Sequence, residues 1–203
     1  MTIPKTEQLD HVAIDDLIAR ERAARDAGRW ADMGAAYHSD SSIDISWFNG
    51  SGEQFTAASQ KMADGPLYSF HQIGASVITV DGDRALADSN CTVHFFVTVD
   101  GAEVDIIGYT RLMWRLQRSG SNWLIAGLRA VYIRDVLVPV NPLQVPQLDS
   151  KMLDGLRSSY RFVSYWTARA GRQVRYDLPG VDKPETVAAL RAGEQEWLMS
   201  KNE

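Results

Sequence analysis

The sequence predicts an α+β domain in which a curved antiparallel sheet is wrapped by N-terminal helices around a closed pocket, with a helical extension after the sheet. Three observations predict it. Apolar residues recur at helical spacing near the N-terminus, at Ile14, Leu17, Ile18 and Ala24. Four long strand-like stretches then follow one another through Gly-containing turns, and a run containing Pro139, Pro142 and Pro146 leads into further helical periodicity.

The first helix spans residues 9–27, with Gly28 placed to end it. A short second helix is expected over 30–37. The period then changes to alternation: Ile43, Ile45 and Trp47 interleave with Asp44, Ser46 and Phe48, a strand running into the turn Asn49-Gly50-Ser51-Gly52. A helix over 53–62 follows. Strands over 73–80, 85–99, 103–117 and 123–135 are separated by Asp81-Gly82-Asp83, Asp100-Gly101 and Ser119-Gly120-Ser121-Asn122. Strands this long in consecutive hairpins need bulges to bend into a curved sheet. After Asp135 the prolines exclude a central strand, so an extended arm is expected. Helical spacing returns over 148–168 and again over 184–199, where Pro184-Glu185 is a typical helix start.

Composition narrows the class of function. The 203 residues are 45% hydrophobic and 23% charged, enough apolar material for a sizeable core. A net charge of −5 argues against a nucleic-acid partner, whose phosphates need clustered Lys and Arg. No apolar run approaches the ~20 residues that cross a bilayer, and residues 1–10 lack a signal-peptide apolar core. Cys91 is the single cysteine, so no internal disulfide is available, which fits a reducing cytoplasm. A small molecule is the expected partner.

The residues that carry chemistry point to proton transfer. On a helical wheel Glu21 and Arg25 fall within the apolar arc and Asp26 lies at its edge, so charge faces inward. Either the first two form an ion pair near the helix end, or this face lines a polar-bottomed cavity. None of His11, His38, His71 and His94 pairs at zinc-ligand spacing, and neither metal nor cofactor is expected. His71 opens the sheet, whereas His94 sits in the aromatic strand Val93-His94-Phe95-Phe96, where packing is the simpler role. No nucleophile elbow or phosphate-cradling loop is present. What remains is a carboxylate paired with an imidazole, which can move a proton without a cofactor.

Ala13-Ile14-Asp15-Asp16-Leu17, Arg25-Asp26, His71-x-x-Gly74, Tyr109-Thr110 and Trp123 occur in that order, and the chain over about 9–136 resembles the SnoaL-like branch of the nuclear transport factor 2 superfamily. Within that branch it is similar to the scytalone dehydratase and hexachlorocyclohexane dehydrochlorinase families. The resemblance implies a cone-shaped barrel with its pocket between sheet and first helix, and an acid–base pair of Asp26 and His71. The pattern departs at Arg25 and Ile45, where scytalone dehydratase carries tyrosines. Tyr109 and Arg111 are expected to steady developing negative charge, with Tyr132 as a further acid. Glu21, Arg25, Tyr37, Trp47, Tyr68, His94, Arg129 and Tyr132 are the expected substrate-lining residues. The implied function is a cofactor-independent lyase, eliminating water or an aldehyde from an aromatic, phenolic or polycyclic molecule through a quinone methide. An isomerase or cyclase, or a non-catalytic subunit like the β subunit of ring-hydroxylating dioxygenases, is the alternative. Residues 137–203 form an extension packed on the domain or on a neighbour, and a homo-oligomer, dimer or trimer, is expected.

Overall fold

The computed structural model describes residues 5–65 and 67–200; residues 1–4 and 201–203, where the readings of the two chain ends extend, lie outside the described residues. Helix α1 (Lys5–Asp26) buries Ile14, Ile18 and Ala24, and Gly28 ends it at φ +69°, where its N–H meets the Arg25 carbonyl. A short α2 (Trp30–Ala35) is followed by strand β1 (Tyr37–Ile45) and, after a turn at Ser46 and Trp47, by β2 (Phe48–Gly50). Tyr37 therefore belongs to a strand and not to the helix expected over 30–37. Helix α3 (Gly52–Ala63) starts on a capping box in which Ser51 and Gln54 satisfy each other's backbone N–H groups.

The long strands are β3 (Tyr68–Asp81), β4 (Arg84–Val99), β5 (Ala102–Ser119) and β6 (Asn122–Pro139). They form three successive hairpins. Gly82, Gly101 and Gly120 take positive φ in the turns, and Asp100 joins Gly101 with φ +47°. The sheet runs β2-β1-β6-β5-β4-β3. One pairing differs from expectation: β1 lies parallel to β6, so the sheet is mixed. The chain leaves β1 through β2 and α3 and returns beside it only as the last strand, the long connection that a parallel pair needs. The edge strands β2 and β3 do not pair, so the sheet is a curved, open cone and its concavity is covered by helices, not closed by strands.

β6 runs on to Pro139, past the limit set by its prolines. β1 pairs with β6 only as far as Arg129, so one side of β6 is free of β1 beyond that point and Pro139 sits at a strand end. Part of that vacancy is taken by the tail: the Tyr132 N–H donates to the Pro179 carbonyl at 2.9 Å, and the Val181 N–H donates to the Tyr132 carbonyl at 3.0 Å.

The single helix expected over 148–168 is broken. Asp149 caps α4 (Ser150–Asp154), Gly155 stops it, and a 3₁₀ turn at Ser158–Tyr160 re-aims the chain into α5 (Arg161–Arg169). The kink is held by Arg157, which donates to Asp182 and to the carbonyls of Tyr176 and Leu178. Helix α6 (Pro184–Met199) lies against β4. The main core packs α1 and α3 into the concave face around Trp114, Leu116, Ile125 and Leu128. A second core joins the tail residues Leu156 and Tyr165 to Val99, Val104 and Ile106 at the strand ends. The extension is thus part of the folded body, sharing apolar surface with the sheet.

Candidate active site

Two carboxylates of α1 fasten the helix to β3. Because β3 is an edge strand, part of its backbone has no strand partner. Asp15 accepts the Ser76 N–H at 3.0 Å, and Asp26 accepts the His71 N–H at 2.7 Å. The other oxygen of Asp26 meets His71 Nδ1 at 2.8 Å. With Nδ1 donating to a carboxylate, Nε2 is the ring nitrogen left with a free lone pair.

Burial would raise the Asp26 carboxyl, but the ring and backbone hydrogen bonds from His71 and the nearby Arg25 more than reverse this. His71 is pushed down to about 4, because burial and the charges of Arg25 and Arg22 outweigh its bond to Asp26. At neutral pH the pair is therefore carboxylate and neutral imidazole, the state in which His71 can accept a proton.

His71, with Asp26 behind its imidazole, stands in the wall of a small chamber of about 60 Å³, lined also by Arg25, Trp47, Val93, Thr110 and Tyr132. It abuts a groove of about 530 Å³ that shares Ser46, Trp47, Phe95 and Val163 with it. The chamber holds a few waters or the reacting end of a larger molecule, while the body of such a molecule needs the groove or an outward shift of α5. Arg25 is a buried cation: its guanidinium lies 3.6 Å from Asp26 and 5.9 Å from the Trp47 ring, and its Nε has no partner. Burial and the charge of Arg22 lower it to about 10, still protonated at neutral pH. Arg22, which also lines the chamber, forms a buried ion pair with Glu21, and the Tyr37 hydroxyl donates to Glu21 at 2.6 Å. The expected Glu21–Arg25 ion pair does not form: Glu21 pairs with Arg22, and Arg25, beside Asp26, lines the cavity.

Of the residues expected at the site, the structure gathers Asp26, His71, Arg25, Trp47 and Tyr132; the Tyr132 hydroxyl accepts the Ser46 N–H at 2.8 Å. Glu21 and Tyr37 stand one layer back. The others are on the wrong face of the sheet, because side chains alternate along a strand. Gly108 and Thr110 line the chamber, so Tyr109 and Arg111 point outward; Tyr109 is 40% exposed, and Arg111 donates to Asp88 at 2.7 Å and to Asn90 at 2.9 Å. His94 lies between the inward Val93 and Phe95, stacked on Phe70 with its Nδ1 2.8 Å from Asp105. Tyr68 is 60% exposed beside Phe96, and Arg129, between the chamber-lining Leu128 and Ala130, donates to the Ser42 carbonyl at 2.7 Å. Arg22, Thr110 and Asp135 were not singled out by sequence reasoning. Arg22 carried a signal, being four residues after Ile18 on the buried arc; the other two depend on strand parity.

An open, curved sheet covered by helices, with the part-buried Asp26–His71 pair beside a small chamber, makes this chain a small α+β pocket protein. Residues 6–129 match the SnoaL-like domain family, and the chain belongs to that family. Pea pathogenicity protein 2 of Fusarium vanettenii is 29% identical over 202 residues, covering 95% of this chain and 87% of that protein. Among solved structures, a type 2 hexachlorocyclohexane dehydrochlorinase aligns with a TM-score of 0.57 at 12% identity, over 71% of this chain and 96% of its own. A candidate scytalone dehydratase from Novosphingobium aromaticivorans aligns with a TM-score of 0.56 at 12% identity, over 73% and 99%. At such identities the two structures show a shared fold of the nuclear transport factor 2 type. No helix among the described residues is long and apolar enough to cross a membrane.

Proposed function

We propose that this protein is a cofactor-independent lyase of the dehydratase type, acting on an aromatic or polycyclic small molecule with an acidic C–H beside a carbonyl. The observation that carries the reading is the 2.8 Å contact between Asp26 and His71 Nδ1 at the wall of an apolar chamber. His71 Nε2 takes the proton from carbon, Asp26 stabilises the imidazolium that forms, and the buried guanidinium of Arg25 stabilises negative charge on the carbonyl oxygen. Arg25 takes the role that the sequence gave to Tyr109 and Arg111. Expulsion of a β-hydroxyl as water completes the elimination; loss of an aldehyde from a phenol would instead begin with His71 taking a carbinol O–H proton, the C–C bond breaking as the C=O forms. Residues 9–136 carry this chemistry and 137–203 complete its wall through Tyr160 and Val163. A cytoplasmic homo-oligomer is part of the reading, supported by the exposed Tyr68, Val77 and Tyr109 on β3 and β5.

The test is elimination from 3-hydroxy-1-tetralone, whose product after loss of water is the fluorescent 1-naphthol. Wild-type protein should release 1-naphthol after dialysis against chelator, and His71→Ala should not. Equal rates for wild type and His71→Ala would overturn the mechanism. Activity lost on dialysis and restored by metal would overturn the claim of cofactor independence.

A further inference from the structure

The chamber holds a second carboxyl group that the proton transfer described above does not use. His71 pairs across the sheet with Val93, Val93 with Gly108, and Gly108 with Asp135. All four residues line the chamber. They form one row across β3, β4, β5 and β6, with the two titratable groups at its ends and two residues of low bulk between them. Three strand spacings put the outer backbones about 14 Å apart along the sheet, and side chains rising from a concave surface converge toward each other.

Asp135 reaches this row through a bulge. The pairing of β5 with β6 shifts between Tyr109 and Thr110, which face Arg134 and Tyr132, so Ile133 is an extra residue. Leu128, Ala130 and Tyr132 face inward in regular alternation, and without the extra residue Asp135 would face out. Instead Asp135 is 4% exposed. Its Oδ2 accepts the Val163 N–H of α5 at 2.8 Å, while Oδ1 is buried without a partner. Buried oxygens are ordinarily satisfied, and a cap alone needs only one of the two.

We propose that Asp135 is the general acid of this site, donating a proton from Oδ1 to the leaving oxygen while His71 removes the proton from carbon at the other end of the row. The proposal rests on the lyase reading and adds its missing half. His71 Nε2 takes the α-proton, the C–H pair forms the enolate, and the enolate collapses to a C=C bond. The C–O bond breaks with its electron pair going to oxygen, which takes the Oδ1 proton and departs as water. Imidazolium and carboxylate remain, and solvent returns one proton to Asp135 as another leaves His71. The Val163 N–H on Oδ2 leaves Oδ1 as the oxygen that carries the proton. Burial pushes Asp135 up to about 6 against the pull of the α5 backbone N–H groups. The charged and titratable groups around it are Arg22 and Arg25 on α1, His71 on β3, Tyr132 and Arg134 on its own strand, and Tyr160 and Arg161 in the tail.

The test compares two leaving groups on one skeleton, 3-hydroxy-1-tetralone and 3-(4-nitrophenoxy)-1-tetralone, because nitrophenolate leaves without a proton. Asp135→Asn keeps an oxygen to cap α5 and should melt within a few degrees of wild type; Asp135→Ser is a second, smaller variant. Both should lose about 100-fold in kcat on the hydroxy compound and less than about 5-fold on the nitrophenoxy one. The alkaline limb of the pH–rate profile should vanish with Asp135. Equal losses on both compounds, or none on the hydroxy compound, would overturn the acid role while leaving His71 as base. A wild-type protein inert toward both compounds would overturn the lyase reading and this proposal with it.

Discussion

Asp26 holds His71 at two points, the ring Nδ1 at 2.8 Å and the backbone N–H at 2.7 Å, so one carboxylate fixes both the strand and the tautomer. The two functions separate on mutation. In Asp26→Asn the amide oxygen can keep the backbone bond while its NH₂ meets Nδ1, which moves the ring proton to Nε2 and removes the base. We expect kcat to fall about 10²- to 10⁴-fold with little change in melting temperature. Asp26→Ala should also orphan a backbone N–H and cost about 1–3 kcal/mol in denaturant titration. Unchanged turnover in the asparagine variant would show that tautomer control is not needed.

Stability should depend on pH through two groups of opposite sign. His71 is lowered by burial to about 4, so between pH ~6.5 and 4 the unfolded chain binds more protons and stability falls as pH falls, by about 3 kcal/mol in all. Asp135 is raised by burial to about 6, so between pH ~4 and 6 the folded chain binds more protons and stability falls as pH rises, by a similar ~3 kcal/mol. In wild type these largely cancel. Urea unfolding of Asp135→Asn should show stability rising with pH across this window, and His71→Asn should show it falling. Parallel curves for the two variants would contradict both assignments.

The outward placement of Tyr109 and Arg111 carries its own expectation. Tyr109→Phe and Arg111→Ala should leave kcat and KM on the tetralone within about twofold of wild type, since neither side chain reaches the chamber. A hundredfold loss in either would mean that the convex face takes part in catalysis.

Tyr165 is fully buried, and its hydroxyl both donates to Asp100 and accepts the Asp149 N–H, each at 3.0 Å. Tyr165→Ala should cost about 3–5 kcal/mol, the range for deleting a buried aromatic ring. A chain truncated after Val140 would expose Val99, Val104 and Ile106, and light scattering should report aggregates. A soluble truncated chain that still turned over the tetralone would show that the extension is dispensable.

Much of this was legible in the sequence. Only the family resemblance pairs Asp26 with His71, since the helical wheel puts Asp26 at the edge of the buried arc; the structure sets them 2.8 Å apart. Arg25 was legible from its place on an apolar arc. Tyr109 and Arg111 were misplaced by a single step of strand parity, since Gly108 and Thr110 on either side are the inward residues. Asp135 was out of reach for the same reason: its direction depends on the extra residue Ile133, and no composition signal marks a bulge of that kind. The break at Gly155 was visible as a glycine, but the long-range bonds of Arg157 that hold the new direction were not.

The parallel pairing of β1 with β6 sets a condition on synthesis. Ser42, Ile43 and Asp44 meet Gly127, Leu128 and Arg129, partners separated by most of the sheet, whereas β3 to β6 pair through adjacent hairpins. While the chain emerges from the ribosome, β1 has only the three-residue β2 beside it, and the rest of its edge waits for β6. At about 5–20 residues per second, that interval lasts several seconds. Chaperone contact with the Ile43–Ile45 segment during that time, and a slow final phase in refolding that moves with β1 substitutions, are what this topology entails.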